Sequence, residues 1–188
     1  MYNVINNIIS DFEESYVMDT FFEQIVAIKK DGKAMVSIIG LWVIALILCA
    51  VPYMSGITIL INLAPFIICG ILFGAYKLTT LFNIEYEYIV TNGTMDVDKI
   101  VNMSSRKRIV SFELSNVSRI EKYNENSLNS VDKKDVIFAC NPDDSGVYLL
   151  VADRDGKAPY YLVFAPEERL QGAIVKSVPK YIANSAFQ

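Results

Sequence analysis

Three kinds of hydrophobic patterning follow one another along the chain. From Met1 to Lys30 apolar residues recur at helical spacing. Val4, Ile5, Ile8, Ile9 and Phe12 share one helix face, and Met18, Phe21, Phe22, Ile25 and Val26 share another. Ser10 and Glu13 stand at capping-box spacing, so a helix can restart there. Asp19 and Glu23 come early in the second segment and Lys29 and Lys30 last, as the helix dipole favours. The pattern predicts an amphipathic helical leader over residues 1–33. Its acidic front would be repelled by an anionic leaflet, so packing against protein is expected.

The second regime is a passage of 43 residues, Ala34 to Tyr76, without Asp, Glu, Lys or Arg. Pro52 to Gly56 divides it into two apolar runs, 34–51 and 57–76. As helices they would reach about 27 and about 30 Å, against a hydrocarbon core of about 30 Å. Neither run keeps the polar face that a buried helix of a water-soluble protein retains. The pattern therefore predicts a transmembrane hairpin over 34–77. Lys29, Lys30 and Lys33 precede it, Lys77 follows it, and the turn between the runs has no basic residue. The positive-inside rule then places both termini in the cytoplasm, with the chain a multi-pass protein of the inner (plasma) membrane. Gly70 and Gly74 form a G-x-x-x-G pair. They either face a second copy, giving a homo-oligomer, or pack on the first span near Gly40 or Ala45. The second is expected.

From Ile84 the pattern becomes short alternating strands with turn punctuation. Strands are predicted at 84–91, 94–100, 107–114, 117–123, 136–140, 147–152 and 160–164. Asn92-Gly93 is a type I′ hairpin signal, because both central residues must tolerate positive φ. In the first strand Ile84, Tyr86, Tyr88 and Val90 are placed inward, and Glu85 and Glu87 outward. Pro166, Glu167 and Glu168 open a closing helix with Leu170, Ile174 and Val178 as its stripe. The whole reads as α+β: leader helix, membrane hairpin, then a seven-stranded antiparallel barrel plus helix over 84–188.

Composition removes several chemistries. The chain of 188 residues has no histidine, which excludes Ser-His-Asp and Cys-His catalysis and imidazole ligation of a metal. A net charge of −4 argues against a nucleic-acid partner. The three cysteines show no C-x-x-C spacing, so neither zinc nor redox chemistry is expected. Asp153, Asp155 and Gly156 echo a calcium loop but lack its later glutamate, so a plain turn is expected, as at Asp143 and Asp144. No catalytic residue, metal or cofactor is assigned, and the chain is read as no enzyme. Within the strand-rich part from residue 84, Arg106, Lys107 and Arg108 stand out as a local basic cluster. Placed at the membrane-proximal end of the third strand, they either meet anionic headgroups or form strand-rim ion pairs with Asp98 or Glu85.

Tyr88 to Val97 (YIVTNGTMDV) and Arg106 to Ile120 (RKRIVSFELSNVSRI) carry a recognisable pattern. It runs Y-x-hydrophobic-T-N-x-x-hydrophobic, then a basic cluster, then hydrophobic-x-hydrophobic-x-x-hydrophobic-x-x-I. This resembles the bacterial pleckstrin-homology-like (PH-like) domains of membrane proteins, and is similar to a family of short two-span proteins with such a tail. The likeness covers roughly residues 18–180. It implies a PH-like barrel closed by its helix, serving as a non-enzymatic binding or assembly module. A protein partner is the expected ligand, with anionic lipid headgroups at Arg106, Lys107 and Arg108 as the alternative.

Overall fold

The computed structural model describes residues 21–128 and 131–187. Its first element corrects the sequence reading. Phe21–Ala27 is a strand, β1, and not the second half of a helical leader. Exposed and half-buried residues alternate along it with period two. A short aromatic and β-branched run such as FFEQIVA satisfies helical and strand spacing equally well, and only a partner strand decides between them. The rest of the leader, residues 1–20, lies outside the described residues.

Asp31 opens helix α1 (Gly32–Met54): its carboxylate accepts the Ala34 N–H at 2.9 Å. Helix α2 (Thr58–Thr80) follows after a short turn with Gly56 at φ +68°. Both helices run beyond the apolar limits read from sequence. Pro52 does not end α1 but sits in its last turn, where its missing N–H removes one bond near an end, and Ser55 N–H still reaches Val51 O at 3.0 Å. Each helix has 23 residues, about 34 Å, and both are long and apolar enough to cross a membrane. Along them only Ala45 and Pro52 in α1, and Ala64, Ala75 and Thr80 in α2, are buried.

Seven further strands follow: β2 (Ile84–Thr91), β3 (Thr94–Val101), β4 (Ser105–Glu113), β5 (Val117–Lys122), β6 (Val136–Phe138), β7 (Tyr148–Arg154) and β8 (Lys157–Phe164). They form two four-stranded sheets, in the orders β1-β2-β3-β4 and β5-β7-β8-β6. The α+β reading holds, with eight described strands in two sheets after and around the helix pair, but the sheets are not wholly antiparallel. β6 runs parallel to β8, with Val136 opposite Tyr161 and Phe138 opposite Val163. Among the described residues the strand-rich part takes in Phe21–Ala27 as well as residues from 84 onward, so the helix pair lies in the chain between β1 and β2.

The chain clusters into two units that divide within these strands. Among the described residues, one comprises 21–24, Tyr88–Val97 and those from Ile109 onward. Its core includes Tyr88, Met95, Leu149, Leu162 and Phe164, all fully buried. Helix α3 (Glu168–Ser177) adds Leu170 and Ile174, and helix α4 (Lys180–Ala183) adds Ile182. Pro166 precedes the cap, Glu167, instead of opening the helix itself. The other unit comprises Ile25–Glu87, which contains both apolar helices, and Asp98–Arg108.

All three cysteines are free, and Cys140 is buried. Burial first, and the nearby Asp144 second, push the Cys140 thiol up from its ordinary 9.0 to about 12. Burial also raises the Tyr86 and Tyr123 hydroxyls, with Glu125 among the groups that add to the shift at Tyr123. Above pH 9 an unfolded chain releases the Cys140 proton that the folded chain holds, so stability falls as pH rises from 9 toward 12. Thermal melts of the detergent-solubilised chain between about pH 8 and about pH 11 should show this decline, and Cys140→Ala should flatten it. An unchanged slope in that variant would refute the assignment.

Candidate functional site

The basic strand resolves into an ion-pair pattern. Arg106 and Arg108 lie on β4, the sheet edge, and are about half exposed. Arg106 donates from Nη2 to Glu87 Oε1 at 2.7 Å, reaching across β3 to β2. Arg108 donates from Nε to Asp98 Oδ1 at 3.0 Å on the neighbouring β3. Glu87 and Asp98 are the two buried acidic residues among the described ones. The expected partner Asp98 is found, but Glu87 takes the place of Glu85. Alternation alone puts Glu87 outward, yet Glu87 and Tyr88 are consecutive and both fully buried, as are Val97 and Asp98 nearly so. Period two therefore fails at those two points. Lys107 is exposed. Two of the three cations, Arg106 and Arg108, are thus each paired with a buried carboxylate.

Asp143, Asp144 and Asp155 lie in turns or bends as expected, but Asp153 lies within strand β7. Asp155 and Gly156 join β7 to β8, with Gly156 at φ +65°, and Asp153 Oδ1 accepts the Ser118 hydroxyl at 3.2 Å. Asn141 Nδ2 donates to Asp144 Oδ2 at 3.0 Å within the next turn back. No cluster of three or more metal-ligating side chains occurs among the described residues.

Gly70 and Gly74 line a groove of about 210 Å³ beside Leu41, Ala45 and Ala75 on the two apolar helices. A Cβ added to either glycine would meet nothing within 4 Å, so close approach inside the hairpin does not require them. Gly70→Ala and Gly74→Ala should leave the hairpin intact or stabilise it by up to about 1 kcal/mol through helix propensity. Thermal unfolding in detergent checks this. A loss of stability together with a loss of dimer would show instead that the glycines form a seam between two copies.

Sequence reasoning missed a set of contacts that ties distant segments together. Gln24 on β1 donates Nε2–H to Ala165 O at 2.9 Å and accepts the Glu167 N–H on Oε1 at 2.8 Å. Arg154 stacks 4.3 Å from the Tyr160 ring, which in turn packs on Phe112. Tyr88 meets Phe164 edge to face at 5.8 Å, and its hydroxyl donates to Ala139 O at 2.7 Å. Most apolar residues of the recognisable motif, unlike its basic cluster, are thus internal. Tyr88, Val90, Met95, Val97, Leu114 and Val117 are buried, and Asn92 and Gly93 take φ +48° and +80°, as a type I′ turn requires.

A family profile described as Bacterial PH-like domain (DUF6106) matches residues 18–184. The chain belongs to this bacterial PH-like domain family. No curated protein and no solved structure matches it. The match begins before β1, so the PH-like family unit takes in the strand that sequence periodicity misread, together with both apolar helices. Its motif residues build the fold, which accounts for a family likeness that says little of a ligand.

Proposed function

We propose that this PH-like protein is a membrane-anchored, non-enzymatic binding module whose helix pair crosses the inner membrane with both ends cytoplasmic and whose strand-rich part recognises a protein partner. The observation that carries the reading is the helix pair: two adjacent 23-residue helices expose apolar side chains along almost their whole length. Left in water, such surface would drive aggregation, whereas lipid satisfies it. Lys29, Lys30, Lys33 and Lys77 at the open end of the hairpin, and none in its turn, support the orientation. A thiol introduced at Ser55 should react with a membrane-impermeant reagent from outside, and one at Asn92 should not. The reverse pattern overturns the orientation.

A protein partner is favoured over lipid because a sheet edge offers backbone groups for strand addition. Ser105 to Arg108 on β4 is such an edge and is exposed throughout. Its cations suit an extended acidic segment. The second reading, anionic headgroups held by Arg106, Lys107 and Arg108, rests on the half exposure of the two arginines. Headgroup attraction amounts to about 1 kcal/mol per cation near a surface, and the pairing of Arg106 and Arg108 with carboxylates weakens it. A photo-crosslinker placed at Lys107 in native membranes separates the two. A discrete protein adduct absent from a control at Asp155 supports the proposal, and an adduct to lipid alone replaces it with the second reading.

A further inference from the structure

We infer that the β3–β4 turn is a membrane contact in its own right, with Met103 seated in the headgroup region of an anionic bilayer. This rests on the proposed crossing of the membrane by α1 and α2. The turn is unusual in two respects. Asn102 and Met103 stand at φ +53° and +55°, and Met103 is 84% exposed. Asparagine visits the left-handed region readily, whereas methionine pays for its Cβ there. The turns at Asn92-Gly93 and Asp155-Gly156 give their left-handed positions to asparagine and glycine alone. An apolar side chain that is both strained and presented outward fits a lipid surface better than water.

Position supports the same conclusion. The Asn102 N–H donates to Asn83 O at 2.8 Å, and Asn83 lies three residues beyond the end of α2. The Ile28 N–H donates to Ile84 O at 3.0 Å, four residues before the start of α1. The turn is therefore fastened to backbone at the level where both helices would leave the bilayer. Met103 and Asn102 border a recess of about 190 Å³ with Lys30, Asn83 and Glu85. Lys29, Lys30 and Lys33 provide the charge that an anionic surface complements. Met103 shares that recess with one lysine, Lys30, an apolar residue and a cation side by side as a headgroup region accommodates them.

The test uses the full chain with its native cysteines replaced by alanine, carrying a single spin label and reconstituted in phosphatidylethanolamine–phosphatidylglycerol vesicles. Labels go at Met103→Cys, at Leu46→Cys in the middle of α1, and at Asp155→Cys in the β7–β8 turn. Collision rates with oxygen and with a water-soluble nickel chelate report depth. The expected result is lipid depth at 46, water at 155, and at 103 a nickel accessibility several-fold below that at 155 with raised oxygen accessibility. A label at 103 as open to nickel as that at 155, while 46 reads lipid, overturns the inference and leaves the crossing intact. A label at 103 shielded from both probes also overturns it, in favour of protein covering the turn. Water access at 46 would overturn the crossing itself.

Discussion

A chain begun at residue 28 should fail to yield a stable PH-like domain, while one begun at residue 18, where the family match starts, should serve as the folded reference. The reason lies in β1. Removing Phe21–Ala27 strips the partner from β2 and leaves a long strand edge open to pairing between molecules. It also deletes Gln24, whose amide satisfies both Ala165 O and the Glu167 N–H at the cap of α3. Neither group is fully buried, so water replaces part of what the amide supplied, and each lost bond costs about 0.5–1.5 kcal/mol. With the strand ladder lost as well, the total rivals the roughly 5–15 kcal/mol that hold a domain folded. Size-exclusion chromatography and thermal melts in detergent measure the outcome. Aggregation and loss of the cooperative transition are expected, and a monodisperse species melting at the reference temperature would refute the role given to β1. Gln24→Pro isolates the effect without shortening the chain, because proline removes a ladder donor and the amide together.

The contrast between what was and was not legible in the sequence has a physical cause. The helix pair was readable because 43 residues without charge leave few alternatives, and the Asn92-Gly93 hairpin because positive φ selects those two residue types. Such signals are local. β1 was misread because its identity depends on β2, a strand placed beside it only by tertiary structure, and a short run of Phe, Ile and Val fits either period. The burial of Glu87 was hidden for a related reason. Alternation assigns one face inward, and nothing in the spacing reveals that both faces are covered at Glu87 and Tyr88. Arg106 and Arg108 were recognisable as a cluster, but their destinations lie across strands, so pairing with Asp98 was open to inference and pairing with Glu87 was not. The parallel alignment of β6 beside β8 likewise leaves no trace in a three-residue strand.

Tyr88→Ala should destabilise the protein by about 3–5 kcal/mol, as expected when a large buried aromatic is truncated. Tyr88 is fully buried, packs edge to face on Phe164 at 82°, and bridges two segments through its hydroxyl, which donates to Ala139 O and accepts the Ala165 N–H at 3.4 Å. Tyr88→Phe keeps the ring and removes the bridge, so its cost is that of leaving buried polar groups unpaired, about 1–3 kcal/mol. Chemical denaturation of the solubilised chain measures both. Equal losses would mean that the hydroxyl carries the whole effect, and no loss in Tyr88→Phe would mean that the bridge contributes nothing. The pair of variants also tests what the family motif encodes. If Tyr88 shapes the fold and touches no ligand, Tyr88→Phe should melt earlier yet retain the adduct formed from Lys107 in native membranes at temperatures where it remains folded. A variant that stays fully stable but loses the adduct would make the motif tyrosine part of a recognition surface, which its complete burial beside Phe164 argues against.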